Sequence, residues 1–169
     1  MNELLGTNYG ERTQLWSEIL PGLWQGGTDD SDWIDSGKRR GQITRYDFDA
    51  VYTFFGAANP ADYGVHETRF AFYDGDMSDF DVESDLLPIA KKAHADWVSG
   101  KKVLIRCQAG LNRSGLVMAL VLMRAGHDAK QAIDLIRTKR TEAALCNAVF
   151  ERWLLNAGST PSFTSLLAA

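Results

Sequence analysis

Residues 101–126 read KKVLIRCQAGLNRSGLVMALVLMRAG. After two lysines the stretch has a short apolar run, which predicts a buried strand over residues 101–107. The second half is apolar on nearly every face of a helix. We therefore expect a helix over residues 113–126 in the middle of the domain, ended by Gly126.

The loop between this strand and helix is suited to bind a phosphate group. Backbone N–H groups at the start of a helix have no partner within it, and the helix dipole adds partial positive charge, so such a loop attracts anions. Gly110 permits a backbone conformation that a side chain would block. Arg113 can donate two N–H groups to two phosphate oxygens at once.

Cys107 lies at the floor of this loop, where the charges that attract a phosphate also favour a thiolate. A thiolate in line with a bound phosphorus is a nucleophile, and Ser114 is placed to hydrogen-bond the sulfur and ease its departure. No metal or cofactor is expected, because backbone amides and the guanidinium carry the developing charge. Asn112 is expected to brace the loop. Gln108 is expected to position the water molecule that would later free the sulfur by hydrolysis. The residues predicted to bind the phosphate are Gln108, Ala109, Gly110, Leu111, Asn112 and Arg113.

Three more strands and two helices are predicted before this stretch. The strands are residues 18–27, with turn signals at Pro21-Gly22 and Gly26-Gly27, residues 48–56 and residues 67–75. Apolar residues at helical spacing predict a helix over residues 86–98, with Pro88 in its first turn. Two polar segments complete this half, residues 1–18 as a loosely attached arm and residues 30–47 as a helix with a basic loop.

Helices accumulate after the loop. Asp128 and Thr141 are the predicted N-caps of two helices. The second helix would stack Leu145, Val149 and Trp153, and the last residues, 158–169, are expected to form a frayed tail. Strands early in the chain and helices late predict an α/β fold with a central, mostly parallel sheet covered by helices on both faces.

The composition bears on the class of protein and its partners. The chain has 169 residues, a net charge of −4 and a pI of 5.3, which suits a single domain over residues 1–169 with its core at about residues 18–157. The acidic balance gives no reason to expect nucleic acid or an anionic membrane as a partner. There is no apolar run of transmembrane length and no secretory signal. The two cysteines, Cys107 and Cys146, imply no disulfide framework and favour the cytoplasm, with Cys146 expected in the core.

The loop CQAGLNRSG, residues 107–115, resembles the signature loop of the cysteine-dependent protein tyrosine phosphatases, Cys-x5-Arg-Ser/Thr. The short chain is similar to the dual-specificity branch of that superfamily. EILPGLWQGG resembles the family's opening strand, and AIDLIRTKR followed by Asn147 and Phe150 resembles its closing helices. The resemblance implies a phosphotyrosine protein phosphatase-like fold, with helices flanking the sheet. Arg137 and Arg140 resemble helix arginines that position the family's loop, although surface ion pairs would suit them equally.

A carboxylic acid near the loop would protonate the leaving group and later activate water. In the family that the loop resembles, this acid lies at the end of a strand that precedes the cysteine. The predicted strand 67–75 stops at Asp74, and Gly75 would let the following loop close, so Asp74 is the predicted acid. Asp76 is the second choice and Asp79 the third, because Asp79 also suits a helix N-cap.

Arg106 departs from the family pattern, which has a histidine before the nucleophile. In the family, that histidine orients the loop and modulates the thiol. At the same position, Arg106 would either keep Cys107 ionised through its charge or perturb the geometry of the loop.

These features predict a phosphatase that hydrolyses phosphomonoesters through a cysteinyl-phosphate intermediate. Its substrates would be proteins carrying phosphotyrosine, phosphoserine or phosphothreonine, or small phosphoesters. Two other activities on the same loop remain open: an RNA 5′-triphosphatase, whose loop Asn112 resembles, and a phosphoinositide phosphatase, although the extra lysines that often mark it are absent. Arg106 motivates a further alternative, a phosphate-binding module without turnover. A rhodanese-like sulfurtransferase fits poorly, because its loop is generally shorter.

Overall fold

The computed structural model describes residues 15–28 and 42–169. Within these residues it contains the strands β1 Trp16–Leu20, β2 Leu23–Gly26, β3 Ala50–Thr53, β4 His66–Arg69 and β5 Val103–Arg106, and the helices α1 Leu87–Val98, α2 Arg113–Arg124, α3 Ala129–Lys139, α4 Ala148–Gly158 and α5 Pro161–Ala168. A π-helical turn, Val82–Leu86, leads into α1. Most of the helix and basic loop predicted over residues 30–47, and of the predicted arm, lies outside the described residues.

The strands form one sheet in the order β1-β2-β5-β3-β4. Only the β1–β2 pair is antiparallel among these neighbours, so the predicted central, mostly parallel sheet flanked by helices is confirmed. Every residue of β5 is buried, as expected for the central strand of a parallel sheet covered on both faces. β5 lies between two strands that precede it in the chain, and the carboxyl ends of strands at such positions are where ligands bind in parallel sheets.

Successive residues of β5 face two different cores, because side chains alternate across a strand. Val103 and Ile105 join residues of all five helices in the larger core, which also contains Cys107. Leu104 lies on the opposite face, in a smaller cluster with Phe48. Arg106 follows the alternation of Leu104, so its side chain projects away from the face that carries Cys107.

Helix α2 is buried nearly all round, as its sequence predicts. Every residue from Ser114 to Met123 is buried, and α2 contacts each of the other four helices as well as β2 and β5. This places the N-terminus of α2 directly at the end of the central strand. The predicted helix over residues 86–98 is confirmed as α1, with Pro88 in its first turn.

Two predictions about chain segments are wrong in detail. The predicted arm contains the start of β1, which pairs with β2 across the predicted Pro21-Gly22 turn. Thr141 does not cap a helix, because Arg137 donates to the carbonyls of Ala144 and Leu145 at 3.0 and 3.1 Å and holds the segment as a turn. Helix α4 instead begins after Asn147, whose side chain accepts from two backbone N–H groups of its first turn. Asp128 does cap α3, as predicted.

The C-terminal stretch forms a packed helix rather than the expected frayed tail. Phe163 and Leu167 are four residues apart, so they lie on one face of α5, and both are buried in the main core. The ring of Phe163 meets Trp153 of α4 edge-on at a centroid distance of 5.2 Å. None of the helices in the described ranges is long and apolar enough to cross a membrane.

Candidate active site

Cys107 directly follows the central strand and lies beneath the loop that leads into α2. Its side chain is only 2% exposed, and its Sγ lies 3.3 Å from Oγ of the fully buried Ser114. The predicted pairing of these two side chains is therefore present in the structure. A sulfur at the end of a buried strand, next to a helix N-terminus, is held in one position and in a field that favours negative charge.

Gly110 gives the loop its shape. Its φ is +71°, a conformation that favours glycine, and a Cβ atom at this position would lie 2.3 Å from the carbonyl carbon of Gly26. Gln25 Nε2 and Arg140 Nε both donate to the carbonyl oxygen of Gly110, at 3.1 and 3.3 Å. The N–H of a trans peptide points opposite to its C=O. This anchoring therefore turns the N–H of Leu111 away from Gln25 and Arg140.

The Gly110 contacts assign roles to two residues outside the loop. Arg140 was predicted to position the loop or to form surface ion pairs, and the structure places it against the loop. Gln25 was not predicted. The only available signal was a polar residue within the apolar strand β2, where a fully buried amide needs a hydrogen-bond partner.

Arg113 ends the loop at the first residue of α2, and its N–H donors lack close hydrogen-bond partners. Nη1 lies 3.4 Å from the carbonyl oxygen of Phe54 and 3.3 Å from that of Phe72, and Nη2 lies 3.5 Å from Oε1 of Gln108. These are long distances for N–H···O hydrogen bonds. Nε is buried and has no hydrogen-bond partner within residues 15–28 and 42–169. A half-buried guanidinium with unsatisfied donors is suited to bind an oxyanion.

Asp74 is brought to the rim of this loop by two asparagine side chains. Its Oδ2 accepts from Asn112 Nδ2 at 3.1 Å, and its Oδ1 accepts from Asn147 Nδ2 at 2.9 Å. Asn112 Oδ1 in turn accepts from the backbone N–H of Asn147 at 3.0 Å. Asn112 thus braces the loop as expected, and the cap of α4 joins the acid loop to it. This role of Asn147 was not predicted, because the sequence shows only a capping residue before an apolar helix.

The other candidate acids of this loop make local contacts instead. Asp79 Oδ2 accepts from the backbone N–H of Tyr73 at 2.7 Å, and Asp76 Oδ1 accepts from that of Ser78 at 3.1 Å. The hydrogen bonds from Ser78 hold the pKa of the exposed Asp76 below its ordinary value. Of the three predicted candidates, Asp74 is therefore the one hydrogen-bonded to the phosphate-binding loop.

Comparisons with known proteins show which family the chain belongs to. Residues 45–160 match the family model described as "Dual specificity phosphatase, catalytic domain". The chain belongs to this family. It is a cysteine-dependent protein phosphatase of the dual-specificity type.

Relatives and solved structures agree with this assignment. The phosphatase is 29% identical over 123 residues to "Putative tyrosine phosphatase 123R" of Invertebrate iridescent virus 6, an alignment that covers 69% of this chain and 84% of the viral protein. The structure of DUSP15 superposes with a TM-score of 0.69 at 20% identity, covering 90% and 92% of the two chains. Human DUSP28 superposes with a TM-score of 0.67 at 20% identity, covering 92% and 97%. At such identities the two structures show likeness of fold.

Arg106, which stands where the family usually has histidine, is part of a buried ion pair of the phosphatase. The side chain is 2% exposed and donates from Nε to Thr53 Oγ1 at 2.9 Å, and from Nη2 to Glu67 Oε1 at 3.0 Å and to the carbonyl of Asn59 at 2.6 Å. Burial works to raise the pKa of Glu67, but hydrogen bonds from Thr53, the Ala61 N–H and Arg106 bring it below its ordinary value. Arg106 and Glu67 are therefore both charged and offset each other.

This geometry bears on the two roles expected for Arg106. Its guanidinium is directed to the face of the sheet opposite Cys107 and is paired with a carboxylate, so its charge is directed at Glu67 rather than at the thiol. The backbone at Arg106 keeps regular pairing with β2 and β3, so the arginine leaves the strand that carries Cys107 undisturbed.

Replacing Arg106 with methionine is expected to destabilise the phosphatase by about 3 kcal/mol, because Glu67 would lose its buried partner and its charge would be only partly compensated, by the more exposed Arg69. Urea unfolding followed by circular dichroism measures this change. The double variant Arg106→Met/Glu67→Gln should recover part of the loss, since it also removes the charge of Glu67. Lys130→Met, which breaks an exposed pair with Asp134, is the matched control and should change the midpoint little. A loss in Arg106→Met no larger than in this control would contradict the assignment.

Cys146 is exposed, whereas the sequence analysis expected it in the core. The preceding residue, Leu145, has a φ of +57° and is fully buried, so the turn directs Leu145 inward and Cys146 outward. The Cys146 sulfur lies 3.5 Å from both amide atoms of Asn112. Cys107 and Cys146 are both free thiols in this structure.

Proposed function

We propose that this phosphatase removes phosphate from phosphotyrosine and from phosphoserine or phosphothreonine in proteins, with Cys107 as the nucleophile. The observation that supports this most directly is the pairing of a buried sulfur with the under-satisfied guanidinium of Arg113 across one loop. In the first step Cys107 Sγ attacks phosphorus, and the bond from phosphorus to the ester oxygen breaks. Arg113 and the amides of residues 108–113 stabilise the three oxygens as charge develops on them.

Asp74 is the proposed proton donor of this first step. The departing ester oxygen takes the proton from the carboxylic acid of Asp74, which leaves a cysteinyl-phosphate and a free hydroxyl on the product. In the second step water attacks phosphorus, Asp74 takes one of its protons, and the sulfur–phosphorus bond breaks to release inorganic phosphate. Ser114 is proposed to hydrogen-bond the departing thiolate, as its distance of 3.3 Å from Sγ allows.

The contacts of Asn112 and Arg106 weigh on the alternative functions. Asn112, the residue that resembles RNA 5′-triphosphatase loops, is hydrogen-bonded to Asp74, and a retained acid supports hydrolysis of phosphomonoesters. Arg106 motivated the idea of a binding module without turnover, but its side chain is paired with Glu67 away from the loop. The loop also lacks the lysines that often accompany phosphoinositide preference.

We place the protein in a reducing compartment, the cytoplasm, because a thiolate nucleophile with an exposed second thiol nearby must remain unoxidised. Its partners would be phosphorylated proteins. Neither nucleic acid nor a membrane is part of the proposal.

A substrate panel tests the proposed function. Purified wild-type protein is incubated with a phosphotyrosine peptide, a phosphoserine peptide of the same sequence, a phosphoinositide and 5′-triphosphorylated RNA, and released phosphate is measured. We expect release from both peptides and little from the other two compounds. Release from the RNA alone would show a triphosphatase, and release from none of the four would end the proposal.

A further inference from the structure

The guanidinium of Arg113 lies over an aromatic ring at the site. Its Cζ atom is 5.2 Å from the ring centroid of Phe55, a distance at which a cation and a ring attract each other. Phe55 is half-buried and follows Phe54, whose carbonyl oxygen Arg113 contacts. Phe54 is fully buried and packs edge-on against Phe72. The two consecutive phenylalanines thus have different surroundings, Phe54 in the core and Phe55 beside the phosphate-binding arginine.

Two arginines hold the segment that carries Phe55. Arg69 Nη2 lies 3.4, 3.3 and 2.8 Å from the carbonyl oxygens of Phe55, Gly56 and Ala58. Arg106 contacts the carbonyl of Asn59 in the same segment. Because both arginines also pair with Glu67, the segment after β3 is tied to β4 and β5. A ring on an anchored segment loses little conformational freedom when a ligand binds to it.

A second aromatic residue, which is exposed, follows the other carbonyl that Arg113 contacts. Tyr73 comes directly after Phe72 and directly before Asp74, and it is 70% exposed. Its ring packs so closely over Gly75 that a Cβ atom there would lie 2.3 Å from Tyr73 Cε1. The segments after β3 and after β4 thus each carry an aromatic side chain directly after a residue whose carbonyl oxygen Arg113 contacts.

We propose that Phe55 is a specificity-determining residue, whose ring contacts the aryl group of phosphotyrosine and makes the site prefer it to phosphoserine. This inference rests on the proposed function. Since the Phe55 ring centroid lies 5.2 Å from Arg113 Cζ, the ring is within reach of a phosphoester whose oxygens this guanidinium holds. The ring of phosphotyrosine is long enough to pack against Phe55, whereas the single methylene of phosphoserine offers no aromatic surface. An aromatic pair of this kind favours the aryl substrate by about threefold to tenfold.

The test compares two peptides of one sequence that differ only in carrying phosphotyrosine or phosphoserine. We expect Phe55→Ala to lower the ratio of their kcat/KM values about threefold to tenfold, mainly through a higher KM for the phosphotyrosine peptide. Phe55→Tyr, which keeps the ring, should preserve the ratio, and Phe55→Leu, which keeps the apolar volume, should lower it. Tyr46→Ala removes an aromatic ring that is 82% exposed and is the matched control, with no expected change.

The outcomes separate this inference from the function on which it rests. An equal loss with both peptides in Phe55→Ala, or an unchanged ratio, would overturn the role in specificity, because support of Arg113 alone acts on both substrates alike. A wild-type protein that releases phosphate from neither peptide would overturn the proposed function as well. Urea midpoints of Phe55→Leu and Phe55→Tyr close to that of wild type show that the ratio reports on a folded site.

Discussion

Replacing Cys107 with serine is expected to lower kcat/KM for a phosphotyrosine peptide by at least about 10⁴-fold, the scale seen when a nucleophile is removed. The serine hydroxyl holds its proton far more tightly than a thiol, so the variant has a much weaker nucleophile. The structure offers Ser114 Oγ at 3.3 Å, which stabilises a negative sulfur but cannot deprotonate a neighbouring hydroxyl. The loss should appear in kcat.

A phosphate-binding measurement distinguishes a variant that lacks only the nucleophile from one whose phosphate-binding loop is disrupted. Because Arg113 and the loop amides remain in Cys107→Ser, the variant should still bind inorganic phosphate, measured as an increase in thermal unfolding temperature with phosphate concentration. Cys146→Ser is the matched control, since it makes the same chemical change at the other cysteine, which is exposed. It should keep wild-type activity. Equal rates for Cys107→Ser and wild type would remove the basis of the mechanism.

Replacing Asp74 with asparagine is expected to reduce kcat by about 10²–10³-fold on a phosphoserine peptide, with a smaller change in KM. The reason is the leaving group: an alkoxide is a strong base and needs the proton that Asp74 supplies. With p-nitrophenyl phosphate the loss should be smaller, because p-nitrophenolate leaves readily without a proton. Steady-state kinetics with the two substrates measure this difference.

Asp76→Asn is the matched control for the acid. Asp76 lies in the same loop, but Ser78 accounts for its hydrogen bonds and keeps its pKa low, so it is poorly suited to donate a proton near neutral pH. We expect near wild-type rates for this variant with both substrates. Two results would contradict the assignment of Asp74 as the acid. One is a larger loss of kcat in Asp76→Asn than in Asp74→Asn, and the other is a loss in Asp74→Asn that is equal for the two substrates.

The contacts that hold the site from outside the loop come from distant parts of the chain. Gln25 and Arg140 share the Gly110 carbonyl, and Asn147 holds Asp74 from the start of α4. Local sequence patterns show each of them only as a polar residue in or near a regular element, and the expectation that Arg140 positions the loop came from the family resemblance. Which atoms they meet depends on strand order and on how α3 and α4 pack against α2. Those arrangements involve separations of tens of residues, so local patterns do not encode them.

The role of Arg106 shows the same limit. Its position before Cys107 suggested an effect on the thiol, and strand alternation alone would have placed the two side chains on opposite faces. Its partners, Thr53 and Glu67, follow from the parallel pairing of β5 with β3 and of β3 with β4. That register is a property of the assembled sheet.

The sequence by itself determined the central strand, the phosphate-binding loop and the buried helix after it, because these lie within one run of residues and their chemistry depends on neighbours. Cys107, Gly110 and Arg113 could be assigned expected roles from their places between the apolar strand and the buried helix. Only the tertiary structure decided what surrounds them: the asparagines that hold Asp74, the ion pair that takes up the charge of Arg106, the ring of Phe55 under Arg113 and the packing of α5. Those contacts join elements that meet only when the sheet and helices assemble, since hydrogen bonds and ion pairs act over a few ångströms of space rather than along the chain.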